Sequence, residues 1–154
     1  IAHHLSWHMG QRGIDPVTDG PALSDVVKLQ QERAKTLVEM AENSVFFYLV
    51  VKEYDEKAAR KNLGLASLDV LKDMHQRLKV LTDWAAEPIH DEIKACSVQR
   101  EIGMGKVAQP IRVAITGNTI SPPLDATLTL LGRERTLSAI QQAIIWVEQS
   151  HTDN

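Results

Sequence analysis

"GKVAQPIRVAITG", residues 105–117, decides how the rest of the chain is read. Placed on a helix, Val107, Ala108, Ile111, Ala114 and Ile115 form one apolar stripe, while Gln109, Arg112 and Thr116 share another face at i, i+3 and i+7. No alternating strand pattern fits the segment. Pro110 is tolerated within or near a first turn, where its missing N–H costs least. Gly103 and Gly105 beside Lys106 leave a bare approach to that turn. A Gln, an Arg and a Thr in a row supply several donors and an acceptor, which suits the edge of a nucleobase and also suits plain solvent exposure.

The same period runs outward in both directions. "IAHHLSWHMGQRG" reads as a helix ending at Gly13, and Ser24 as the N-cap of a long helix, "DVVKLQQERAKTLVEMAENS". "YDEKAARKNLG" is a short helix stopped by Gly64. Ser67 caps "LDVLKDMHQRLKVLTDW", and Pro88 starts "IHDEIKACSVQRE". Ser121 followed by Pro122 opens "PPLDATLTLLG", Gly132 closes it, and "RERTLSAIQQAIIWVEQ" completes the chain. The expectation is an all-α, two-lobed bundle or cage of about eight helices. Its subdomains are residues 1–64 and 65–154, with the lobes meeting near residues 52–66. There are no internal repeats or low-complexity tracts.

Composition narrows the function. The 154 residues suffice for one domain or two small ones, and 44% hydrophobic with 24% charged residues is ordinary for a folded protein. The single cysteine, Cys96, rules out an internal disulfide and fits a reducing compartment. The longest apolar run, "SVFFYLVV" at 44–51, falls far short of the roughly 18 residues a spanning helix needs. No signal peptide is present, and Ile1 opens in mid-pattern, as in a piece of a longer chain. A formal net charge of −3 argues against indiscriminate nucleic-acid binding but leaves room for a local, shape-selective contact.

On the long helix, Leu29, Met40, Val26, Leu37, Ala41, Ala34, Val27 and Val38 share an apolar arc, opposite Lys28, Glu32, Lys35 and Glu39. Gln30 and Arg33 interrupt that arc. A guanidinium held there needs a partner, because an unpaired buried charge is very costly. Two readings follow: an internal bridge to Asp25 or Glu53, or a groove floor from which Arg33 reaches an outside acceptor.

Other constellations are weaker. His4 and His8 have metal-compatible spacing, but no HExxH pattern accompanies them and His3 lies on another face, so no metal site is expected. "HDE" at 90–92 reads as a solvated first turn with acids at the positive dipole end. Cys96 reads as core, and Trp7, Trp84 and Trp146 as core more readily than as stacking platforms. "KAARK" at 57–61 either contacts phosphates through Lys57 and Lys61 or balances Glu53, Asp55 and Glu56.

"GKVAQPIRVAITGNTISPPLDATLTLLGRERTLSAIQQAI" resembles the last segment of bacterial glutamyl-tRNA synthetases, whose pattern is G-x-V-A-Q-P-[LI]-R-x-A-[LI]-T-G, followed by P-x-[LF] and LLGRER at matching spacing. "VVKLQQERAKTLVEMAENSVFFY" and "YDEKAARKNL" resemble the family's upstream helices, so the likeness spans roughly residues 15–149. It implies an α-helical anticodon-binding cage. By position, Arg33 matches the arginine that reads the third anticodon base. Cytosine offers that guanidinium the acceptors O2 and N3, whereas guanine offers N1–H and N2–H donors. Arginine there, rather than glutamine, implies discrimination of tRNA-Glu from tRNA-Gln. Arg112 matches a second anticodon-contacting arginine, and Ser121, Pro122 and Leu124 match the loop that packs against splayed bases. Some members carry threonine where Ser121 stands. Gln109 and Thr116 complete the expected RNA face, with Lys106 a further phosphate contact.

The implied parent is a glutamate–tRNA ligase, a cytoplasmic and monomeric enzyme that uses ATP and Mg2+ and contacts neither DNA nor membrane. HIGH-like and KMSKS-like motifs are absent here, so the catalytic fold is expected before Ile1, this chain is expected to be inactive alone, and no cofactor is expected within it. The rival reading is an all-α protein-interaction module whose arginines are structural ion pairs. A stand-alone enzyme is weakest, since no constellation joins nucleophile, base and orienter.

Overall fold

The computed structural model describes Trp7, Met9, Gly10, Arg12, residues 20–30 and residues 53–152, the last two of these in backbone only. Among them are seven helices and no strand: α1 (Leu23–Gln30), α2 (Glu56–Asn62), α3 (Leu65–Lys79), α4 (Ala86–Arg100), α5 (Met104–Thr116), α6 (Leu124–Leu131) and α7 (Arg133–Thr152). The all-α class read from periodicity is what the described residues adopt. No described helix is long and apolar enough to cross a membrane.

The chain divides into two compact units, Ile1–Val50 and Val51–Asn154. In the first, α1 buries Val26, Val27 and Gln30. The Ala22 carbonyl accepts from the N–H groups of Asp25 and Val26 at 3.0 and 3.3 Å, so the first turn starts ahead of Ser24, which lies inside it rather than capping it. Arg33 and the rest of the expected long helix lie outside the described residues, as do His3, His4 and His8.

The second unit holds α2 to α7, so α2, grouped with the first subdomain from sequence, belongs to this compact unit. Its core is aliphatic: Val70, Leu71, Met74 and Leu78 from α3; Ile89, Ile93 and Cys96 from α4; Val107, Ile111 and Ala114 from α5; Leu128 from α6; Ile140, Ala143 and Val147 from α7. Helix α3 packs most extensively on α7. Burying these side chains is the main source of stability, at about 1.5–3 kcal/mol for each Val, Leu, Ile or Met.

Helix boundaries differ from the sequence reading for local reasons. Gly64, extended at φ −84° and ψ 178°, occupies the N-cap of α3. Ser67 sits a turn inside, donating from Oγ to the Gly64 carbonyl at 2.6 Å. Helix α3 ends at Lys79 instead of running to Trp84. The Trp84 indole donates to the Leu128 carbonyl at 2.9 Å, and the Arg133 guanidinium lies 5.4 Å from its ring centre, so Trp84 pins the α3–α4 connection to α6 and α7. Helix α4 begins at Ala86, which puts Pro88 within its first turn and residues 90–92 beyond it.

An ion cluster ties α3 to α4. The Asp73 carboxylate accepts from Arg77 Nε at 3.0 Å and Arg100 Nε at 3.1 Å, with Cys96 Sγ at 3.5 Å. Arg77 also donates to Glu92 and Gln99. Burial alone would raise the Asp73 carboxyl, but the bonds from Arg100 and Cys96 and the charges of Arg77 and Arg100 outweigh it and hold it below the usual carboxylate range. Burial, then the bond to Asp73, push the Cys96 thiol upward. Cys96 is a buried, protonated core residue, as its surroundings in sequence suggested.

Candidate nucleic-acid interface

Helix α5 begins at Met104 after Gly103, an extended N-cap at φ −68° and ψ 152°. Pro110 is therefore the seventh helical residue, in the second turn and not the first. Its ring is buried, and the hydrogen bond it cannot donate would have gone to the carbonyl of Lys106, an exposed residue that water can serve. The apolar stripe is as expected at Val107, Ile111, Ala114 and Ile115, with Pro110 and Val113 added and Ala108 half-buried.

The polar face of α5 is organised, not loose. Arg112 Nε donates to Ser121 Oγ at 2.8 Å, and Ser121 Oγ donates to the Pro122 carbonyl at 2.6 Å. Both side chains are half-buried. Pro123 is the N-cap of α6, so Ser121 lies upstream of the helix it was expected to cap. Helix α6 has no side-chain cap, and Thr127 Oγ1, in its first turn, donates back toward the chain before it, 2.9 Å from the Pro123 carbonyl and 3.3 Å from that of Pro122. Pro122 and Leu124 are buried and act as the packed footing of this loop.

Thr116 Oγ1 lies 2.9 Å from the carbonyls of Arg112 and Asn118 and accepts from the Asn118 N–H at 3.1 Å. With one proton it serves either carbonyl, closing the end of α5 at Gly117, whose φ of 79° is left-handed. Gln109 is half-buried, and its Oε1 is turned inward without a hydrogen-bond partner. Lys106, Lys57 and Lys61 are exposed.

Ile120, 68% exposed immediately before Ser121, was not singled out from sequence. The available signal was an isoleucine in an otherwise polar loop. A second feature was also missed. The Asp55 N–H donates to the Gly117 carbonyl at 2.8 Å, seating the start of α2 against the end of α5. Beside that junction lies a cavity of about 430 Å³ lined by residues including Tyr54, Arg60 and Trp146. Burial raises the Tyr54 phenol above its ordinary value, so it is a neutral donor at pH 7. Among the described residues no cluster of three His, Cys, Asp or Glu side chains could hold a metal.

The second unit is thus an all-helical bundle that holds Arg112 beside a loop carrying Ser121 and the exposed Ile120. The sequence profile of the anticodon binding domain family matches residues 1–144, and the chain belongs to that family. It is 51% identical over 148 residues to glutamate–tRNA ligase 1 of Nitrosococcus oceani, covering 96% of this chain and 31% of the relative. It is 50% identical over 150 residues to glutamate–tRNA ligase 2 of Halorhodospira halophila, covering 97% and 32%. The crystal structure of a glutamate tRNA ligase from Elizabethkingia meningosepticum superposes with a TM-score of 0.80 at 26% identity, over 92% of this chain and 28% of that one. The chain thus spans about a third of the length of the relatives it matches.

Proposed function

We propose that this chain is the anticodon-reading part of a glutamate–tRNA ligase, with tRNA-Glu as its partner. The observation that carries the reading is Arg112, fixed on α5 by Ser121 beside the exposed Ile120, within a chain matched almost end to end by glutamate–tRNA ligases. A guanidinium placed in advance loses little freedom when an unstacked base docks against it. Lys106 supplies positive charge at the start of the same helix, and Lys57 and Lys61 at its far end.

Arg33 is the residue that distinguishes tRNA-Glu from tRNA-Gln, by pairing with the cytosine acceptors at the third anticodon position. Arg33, in the first unit, and Arg112, in the second, each contribute to anticodon reading. Glutamate activation, with its ATP and Mg2+, belongs to the part of the relatives' length that this chain does not span. The chain therefore binds RNA without acylating it, as a monomer in the cytoplasm.

Binding of the chain to tRNA-Glu, measured at fixed salt with wild type and Arg33→Gln and with the third anticodon base changed from cytosine to guanine, tests this. The guanine change should weaken wild type about tenfold, one bidentate contact's worth of discrimination, and should scarcely affect Arg33→Gln. Equal binding in all four combinations would remove Arg33 from base reading, and no binding above background would remove the RNA function.

A further inference from the structure

Sequence places an acidic and a basic cluster side by side at residues 53–61, and a run of bulky apolar residues, "IIWV", at 144–147. A run of four overfills one helical face, so part of it must lie outside the core. Ile144 and Val147 are buried, whereas Ile145 is 44% and Trp146 36% exposed. Trp146 meets Tyr54 edge to face, with ring centres 5.4 Å apart and planes at 79°. This pair, with Glu56, Arg60, Leu63 and Ser150, lines the 430 Å³ cavity.

The rim is charged in an ordered way. Arg60 Nη2 donates to Glu56 Oε1 at 2.7 Å, so the two side chains offer donors and an acceptor side by side, complementary to a base edge. Lys57, Arg60 and Lys61 stand at i, i+3 and i+4 on α2 and are all exposed. An aromatic wall next to a basic helix is how single-stranded nucleic acid is held: a base stacks, and the backbone tracks the cations.

The location favours the same ligand. Tyr54 adjoins Asp55, whose N–H is bonded to the Gly117 carbonyl, five residues along the chain from Arg112. At about 1.5 Å of rise per residue, roughly 7 Å of helix axis separates Arg112 from that junction. The notch thus lies beside the C-terminal end of the helix that carries Arg112, within about two turns of it along the axis.

The geometry points to the Tyr54–Trp146 notch as a second docking site for an unpaired nucleobase of the same RNA, stacked on the Trp146 indole with its phosphates toward Lys57 and Lys61. This rests on the RNA-reading function proposed above. Arg60, held by Glu56, meets the edge of the base.

The probe is the anticodon stem-loop of tRNA-Glu, with single abasic replacements around the loop, titrated against wild type, Trp146→Ala, Trp146→Phe, Arg60→Ala and Arg112→Ala. Trp146→Ala should weaken binding roughly tenfold and Trp146→Phe much less, the loss of one base–aromatic stack. One abasic position should reproduce that loss in wild type and add nothing in Trp146→Ala. Tryptophan fluorescence should be quenched by the intact loop in wild type, and less so in Trp146→Phe. Circular dichroism checks that Trp146→Ala is folded; should it not be, Arg60→Ala and the fluorescence comparison decide. If Arg112→Ala loses binding while the Trp146 and Arg60 variants bind like wild type, the notch is not a base site although the RNA function stands. If wild type itself fails to bind, both proposals fall.

Discussion

Arg112 Nε and Ser121 Oγ are joined by a 2.8 Å hydrogen bond across the turn between α5 and α6. The Ser121 proton goes to the Pro122 carbonyl, so the hydroxyl is an acceptor on one side and a donor on the other. Ser121 therefore acts through Arg112: it fixes the Nε edge, and with it the plane in which the rest of the guanidinium fork is presented.

Replacing Ser121 by alanine should weaken RNA binding about tenfold, since a hydrogen bond to a charged group contributes about 1.5–3 kcal/mol. Ser121→Thr keeps the hydroxyl and should bind like wild type. Arg112→Lys keeps the charge but loses the planar fork, and should bind more weakly than wild type while retaining its salt dependence. Affinities at several salt concentrations separate the cases. Unchanged binding by Ser121→Ala would show that the guanidinium needs no such support.

Asp73 makes stability depend on acid pH. Its folded carboxyl lies below the ordinary value because the pull of Arg100, Cys96 and Arg77 exceeds the effect of burial. The folded state therefore binds that proton less readily than the unfolded chain. The associated stabilisation is fully present above the unfolded value of about 3.9 and fades as pH falls through the depressed one. Asp73→Asn should lower the unfolding free energy by about 1–2 kcal/mol at pH 7, a modest figure because the cluster is partly exposed. Urea unfolding at pH 7 and pH 3 should show the gap between wild type and variant shrinking in acid. A gap constant across that range would mean that Asp73 acts through shape, not charge.

What could be read from the sequence follows from where the physics is local. The stripe Val107–Ile111–Ala114–Ile115 depends only on a 3.6-residue period, and Gly117 and Gly132 mark helix ends because a left-handed or similar φ favours glycine. Ser24, Ser67 and Ser121 each looked like N-caps. Ser24 and Ser67 instead lie inside first turns, and Ser121 stops short of α6, because extended backbone at Gly64 and Pro123 starts two of those helices. The inward Gln109 oxygen, the Arg112–Ser121 bond and the Trp146 notch depend on how separate elements pack in three dimensions, which helical periodicity does not encode. The family block around Arg112 pointed to the interface, but not to how its side chains are tethered.

Two glycines separate conformational need from simple tolerance. Gly132 ends α6 at φ 96° and ψ 158°, a region that side-chain-bearing residues avoid at a cost of about 1–3 kcal/mol. A Cβ built there meets nothing within 4 Å, so any penalty is backbone strain and not a clash. Gly105 lies in the first turn of α5, and a Cβ there is equally free of contacts. Gly132→Ala should therefore lower the unfolding free energy by about 1–3 kcal/mol. Gly105→Ala should raise it by about 0.4–1 kcal/mol, because alanine restricts the unfolded chain and favours helix. Urea unfolding of the two variants beside wild type reads out the opposite signs. Should Gly132→Ala prove neutral, the α6–α7 junction relaxes to a conformation that alanine accepts, and Gly132 is not required to hold the start of α7 against Trp84.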